Sequence, residues 1–241
     1  MEFGNVYDDR QRAEAYAQLE FPGTYYLAFR DLHDIILEHV RGKSAIDFGC
    51  GTGRSTRFLK KLGFHAIGVD IADDMLKKAR EKDPQGDYRL VQEGALDQFQ
   101  SHNCDLVLSA HAFDNIPTLA LKVSICSEIA RVLKGDGRFI NLVASPEIYT
   151  HEWASFTTKD FPENKTAQSG DRVRYIMNDV EDQRPMEDII WADDAYQDVF
   201  QRAGLEIVKT HKPLANDSEP FRWINETSIA PWVIYVLKRA A

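Results

Sequence analysis

Asp47-Phe48-Gly49-Cys50-Gly51-Thr52-Gly53 is the stretch that decides the fold. It follows the short apolar run Ser44-Ala-Ile-Asp-Phe48 and precedes Arg54 to Leu62, whose apolar residues recur at helical spacing up to Gly63. Three glycines between a buried strand and a helix let the backbone turn sharply and approach a ligand closely. About 20 residues on, the run His65-Ala-Ile-Gly-Val69 ends in Asp70. A carboxylate at that strand end can accept both hydroxyls of a ribose, so turn and acid together imply an adenosine-containing ligand.

Outward from this stretch the pattern repeats. Ala72 to Lys82 has helical spacing, with Asp73 and Asp74 where the helix dipole favours anions, and Asp83-Pro84 ends it. Tyr88 to Val91 and Asp105 to Ser109 read as strands. Leu119 to Leu133 reads as a helix closed by the turn Lys134-Gly-Asp-Gly137, and Phe139 to Val143 as the next strand. Asp193 to Arg202 follows as a helix, and Leu205 to Lys209 and Trp232 to Leu237 as two strands expected to be antiparallel neighbours. Strands alternating with helices predict an α/β fold: a Rossmann-like, doubly wound, mostly parallel sheet with helices on both faces and an antiparallel C-terminal strand. No linker or repeat divides the chain, so 1–241 is expected as one domain. Residues 1–43 are expected as an N-terminal helical segment, and residues 145–190 as a polar, aromatic, poorly periodic insertion, a possible lid.

Composition narrows the partners. The 241 residues are 44% hydrophobic and 28% charged, with a net charge of −9 that disfavours nucleic acid and anionic membrane surfaces. The sequence has neither an apolar run near the roughly 18 residues a membrane span needs nor a signal-peptide pattern at its start. Cys50, Cys104 and Cys126 lack C-x-x-C spacing, which suits a reduced, cytoplasmic protein, and no metal site is expected.

The ligand can be narrowed further. A dinucleotide site needs a third glycine at Arg54 or Thr56, depending on register, and neither position has one. No tyrosine has a lysine four residues later, and no phosphate-binding G-x-x-x-x-G-K-[ST] loop occurs. Both absences weaken redox and phosphate chemistry. Asp47 to Gly53 resembles the first motif of class I S-adenosylmethionine-dependent methyltransferases, and Val69 to Leu76 resembles the second. Cys104 to Ile116 is similar to the family's fourth-strand motif, and Leu133 to Gly137 to the turn before its fifth strand.

That resemblance implies S-adenosyl-L-methionine as cofactor. It puts Gly49, Gly51 and Thr52 against the methionine part, Asp70 on the ribose diol, and Ile71 and Met75 on the adenine. Gly94 and Ala95 would face the adenine edge through their backbone, since Gly94 stands where the family often has an acid. Ser109 and Ala110 would offer backbone acceptors to the methionine ammonium, and Tyr25, with Tyr16 and Arg30 as further candidates, would fold over the cofactor.

Methyl transfer is an in-line displacement that chiefly needs alignment and exclusion of water. His111, just after the fourth strand, is the candidate general base for a hydroxyl acceptor, with Asp114, His151 and Glu152 behind it. Trp153, Phe156, Phe161, Tyr175 and Trp191 would close over a flat acceptor. The stretch Ser109 to Phe113 lacks the N-P-P-[YF] motif of nucleic-acid amino methyltransferases, and no cysteine adjoins a proline as cytosine C5 chemistry would require. A small-molecule acceptor is therefore expected, methylated on oxygen or nitrogen. A protein or RNA acceptor, a non-catalytic S-adenosylmethionine-binding module and an NAD-dependent oxidoreductase are the alternatives.

Overall fold

In the parallel strands, successive side chains face opposite sides of the sheet and both sides must be covered. A computed structural model describes residues 22–240 and shows how this is met. β1 (Ser44–Phe48), β2 (His65–Asp70), β3 (Asp87–Leu90), β4 (Cys104–Ala110), β5 (Leu133–Ala144), β9 (Leu205–His211) and β10 (Trp232–Arg239) form one sheet in the order β3-β2-β1-β4-β5-β10-β9. β10 lies antiparallel between β5 and β9, and the pairs β1–β2, β2–β3, β1–β4 and β4–β5 are parallel. The expected fold class and the antiparallel terminal pair are as read from the sequence.

Leu106 and Leu108 of β4 pack on the side of α1 (Gly23–Arg30), α2 (Leu32–His39) and α3 (Arg54–Lys61), while Val107 packs on the other side. That other side is covered by α5 (Leu119–Val132) and α6 (Asp193–Arg202), through Ile125, Ile129, Val199 and Phe200. α4 (Asp73–Lys82) closes a smaller cluster with Leu76, Ala79, Cys50 and Tyr88. The three cysteines are buried and free.

Two readings are corrected. Lys134 to Gly137 does not form a turn ahead of a strand that starts at Phe139. β5 already pairs at Leu133, opposite Cys104, and pairs again at Arg138, opposite Leu106, so the intervening residues bulge from the ladder. Nor is the stretch after β5 without regular structure. β6 (Phe156–Thr157), β7 (Arg172–Met177) and β8 (Met186–Ile189) make a second, antiparallel sheet. Trp153, Phe156, Val173, Met177 and Met186 are buried in the α1-side core together with Tyr25 and Trp232. The alternation Arg172-Val-Arg-Tyr175 was the available clue, masked by the shortness of its partner strands.

Candidate functional site

In this sheet β1 lies between β2 and β4, so the crossovers diverge at its carboxyl end and leave a crevice there. The glycine turn fills that position. Gly49 and Gly51 hold φ of +69° and +52°, and the Gly49 and Cys50 N–H groups donate to the Val69 carbonyl at 2.9 and 3.0 Å. A Cβ on Gly49 would lie 2.3 Å from the Ala112 Cβ, so both its conformation and its close neighbour exclude a side chain. Asp47 lies under the turn and accepts from the Ser55 and Thr56 hydroxyls at 2.7 and 2.5 Å. Burial pushes its carboxyl up to about 6.

Asp70 ties the turn to the next strand. One carboxylate oxygen accepts the Gly51 N–H at 2.7 Å and the other the Ala72 N–H at 2.9 Å. It is therefore a clamp and a helix-start acceptor as well as a wall of the crevice. Each oxygen keeps a lone pair for a further donor. Burial moves this carboxyl upward, with the backbone donors acting against the shift.

The crevice opens into a cleft of about 210 Å³. Gly49, Gly51, Thr52, Asp70, Ile71, Met75, Gly94 and His111 all line it. Ile71 is 48% exposed and Met75 buried, and both put apolar surface on the cleft wall. Three expected contacts do not line the cleft. Tyr25 lines the small cavity beyond His111 instead, stacked on Trp232 and edge-on to Phe156. Ala95 closes a tight turn by donating to the Gln92 carbonyl at 3.0 Å. Ser109 is wholly buried inside β4, and its neighbour Ala110 takes the rim position. Arg30 pairs with Asp31 and Glu219 instead, and Tyr16 lies outside the described residues.

Arg54 is the contact that sequence reasoning missed. Noted only as a departure from a glycine pattern, it enters the cleft with its guanidinium 5.2 Å from the Tyr25 ring and 5.3 Å from the Phe29 ring. A cation at the first residue of the helix after the turn was the available clue. Asn115, Ile116 and Pro117, from the segment after β4, and Ile125 complete the far wall.

His111 stands at the end of β4 with φ of +66°, uncommon for a residue with a side chain. Its N–H donates to the Leu142 carbonyl at 2.9 Å, and its ring meets Trp232 edge-on at 4.6 Å. Nδ1 is 3.9 Å from an Asp114 oxygen, while Nε2 is buried with no partner among the described residues. Burial, with the Arg54 cation adding to it, lowers this imidazole to about 3, so it is neutral at ordinary pH. His151 and Glu152 line neither this cleft nor the small cavity beyond His111. Glu152 accepts from Thr157 and Thr158, and His151 sits by Glu147. Asp114 does line the small cavity.

Among the described residues no group of three or more His, Cys, Asp or Glu is placed to hold a metal ion, and no helix is long and apolar enough to cross a membrane.

Residues 46–141 match the family described as "Methyltransferase domain". A ubiquinone biosynthesis O-methyltransferase of Methylococcus capsulatus is 32% identical over 94 residues, 37% of this chain and 40% of that protein. The protein of the same name from Nitrosococcus oceani is 29% identical over 136 residues, 50% of this chain and 56% of its own length. The chain thus spans about half the length of these curated relatives. An S-adenosylmethionine-dependent methyltransferase from Clostridium acetobutylicum superposes with a TM-score of 0.66 at 14% identity, over 98% of this chain and 100% of that one. The CcbJ methyltransferase of Streptomyces caelestis also gives 0.66, at 18% identity, over 95% of this chain and 96% of its own.

Proposed function

We propose that this chain, whose core is a class I methyltransferase domain, is an enzyme that moves the methyl group of S-adenosylmethionine to a small organic acceptor. The observation that carries the reading is one cleft in which the glycine turn, the Asp70 carboxylate and the strained His111 meet. The residues present suit the cofactor. Gly49 and Gly51 bring backbone to the cleft wall where the methionine part would lie, Asp70 has lone pairs for a ribose diol, and Ile71 and Met75 offer apolar surface for a planar ring. Arg54 supplies a cation for the methionine carboxylate.

The sulfonium supplies an activated methyl carbon, so the protein's tasks are alignment and dryness. Phe29, Tyr25, Trp232 and Phe156 put apolar surface around His111. The neutral imidazole has the protonation state needed to accept a proton from a hydroxyl acceptor. The folded insertion 145–190 stands over the small cavity through Ile148, Phe156, Tyr175 and Asp188, and in this reading it covers the acceptor. The relatives' names favour methylation of oxygen, while the net charge of −9 argues against nucleic acid as the acceptor.

Calorimetry should give a dissociation constant for S-adenosylhomocysteine on the order of 1–100 µM. Mass spectrometry should detect methyl transfer to some member of a phenol, amine and carboxylate panel. No heat and no thermal shift at millimolar ligand would overturn the cofactor assignment. Tight binding without transfer would favour a regulatory module instead.

A further inference from the structure

Behind His111, on the side away from the glycine turn, lies a second cavity of about 20 Å³. That is room for one water-sized group. Its walls combine the aromatic rings of Tyr25, Phe156, Tyr175 and Trp232 with two carboxylates. Tyr25, Phe156 and Trp232 stand with ring centroids 5.1–5.9 Å apart. Asp114 and Asp188 are 5% and 7% exposed, and both line the cavity. His111 forms a wall of this cavity and of the cofactor cleft, and its Nε2 is buried without a partner among the described residues.

The carboxylates' hydrogen bonds come from neutral donors. Both Asp114 oxygens accept the Ala144 N–H at 3.1 Å, and Asp188 accepts the Tyr149 hydroxyl at 3.1 Å and a further hydrogen bond from the Tyr175 side chain. Lys122 is the nearby buried base, itself lowered to about 7 by burial. Its ammonium donates to the Phe113 carbonyl and sits 5.1 Å from the Trp191 ring, outside the cavity wall. One ammonium offsets at most one of the two carboxylates. Burial accordingly drives both acids upward, Asp188 to about 7. An added cation would restore their ionised forms, and aromatic faces attract cations as well. A neutral or anionic group would gain neither interaction.

We propose that this cavity is the acceptor's anchoring subsite and that it takes a cationic amine, with His111 as the partition between that ammonium and the cofactor cleft. The proposal rests on the methyltransferase reading above and narrows its acceptor to amine-bearing molecules. The size of the cavity suits an ammonium head alone; the remainder of the acceptor lies outside it.

Binding is to be measured by NMR titration and calorimetry on the full chain saturated with S-adenosylhomocysteine. Methylammonium and phenethylamine are the cationic probes, and methanol and 2-phenylethanol their neutral counterparts. Each amine should bind at least tenfold more tightly than its alcohol, with shifts at the Trp232 indole and at His111. Asp188→Asn keeps the hydrogen-bonding shape, and it should abolish the preference while leaving the affinity for S-adenosylhomocysteine unchanged. Equal binding of amines and alcohols to the unaltered protein overturns the proposal, whether or not the variant folds. A preference that survives in both Asp188→Asn and Asp114→Asn overturns it too. Loss of S-adenosylhomocysteine binding in the unaltered protein would instead sink the methyltransferase reading, so the two failures are distinct.

Discussion

The two sides of His111 are built in different ways. On the glycine-turn side, the turn and Asp70 come from one short stretch of chain, and backbone hydrogen bonds set its shape: the Gly49 and Cys50 N–H groups on Val69 and the Gly51 N–H on Asp70. On the other side Tyr25, Asp114, Phe156, Asp188 and Trp232 come from five separate parts of the chain and act through side chains. Backbone sites leave a local pattern, because only certain residues tolerate the required turn. Side-chain sites assembled over long separations leave none. In the proposed reading the first side takes the cofactor and the second, assembled from scattered side chains, takes the acceptor.

The largest effect should come from the acceptor side. Trp153, in the insertion, is fully buried in the core, and its indole N–H donates to the Ile148 carbonyl at 2.9 Å. Trp153→Ala should cost about 3–5 kcal/mol of stability in urea unfolding. Affinity for S-adenosylhomocysteine should be retained below the transition. A loss under about 1 kcal/mol would make residues 145–190 a loose lid rather than part of the core, and would break the contrast drawn here.

Next comes the cofactor side. Asp70→Ala removes the acceptor of two backbone N–H groups and the expected ribose contacts. Charge-assisted bonds contribute about 1.5–3 kcal/mol each, so affinity for S-adenosylhomocysteine should fall at least tenfold by calorimetry while the protein still folds. An unchanged dissociation constant would reduce Asp70 to a structural clamp.

The smallest effect concerns the partition itself. With its imidazole lowered to about 3, His111 should show no NMR titration between pH 5 and 8. Since its folded value lies below the ordinary 6.5, the unfolded chain binds the proton first. The stability His111 contributes is therefore complete above pH 6.5 and is lost as pH falls toward 3. Asp47, raised to about 6, works in the opposite sense: its contribution is complete below its ordinary value and is lost as pH rises through 6. His111→Gln should thus flatten the acid-side fall in melting temperature. A histidine resonance assigned to His111 that titrates near 6.5 would show the ring to be solvated and the partition open.

The sequence by itself determined the doubly wound sheet, the place of the cleft at the end of β1, and most of the cleft wall from Gly49 to Met75. Those features rest on period-two and 3.6-residue patterns, on glycines required by positive φ, and on an acid at a strand end, all of which are local. It also pointed to His111 as a residue at the ligand side of β4. Only the tertiary structure decided that Tyr25 lines the small cavity and Arg54 the cleft, because a helix's rotation over a sheet is set by packing against distant partners such as Phe156 and Trp232. The structure alone also brought Asp188, 74 positions after Asp114, into one cavity with it. Burial of two carboxylates is a property of the assembled core, and no short stretch of sequence encodes it.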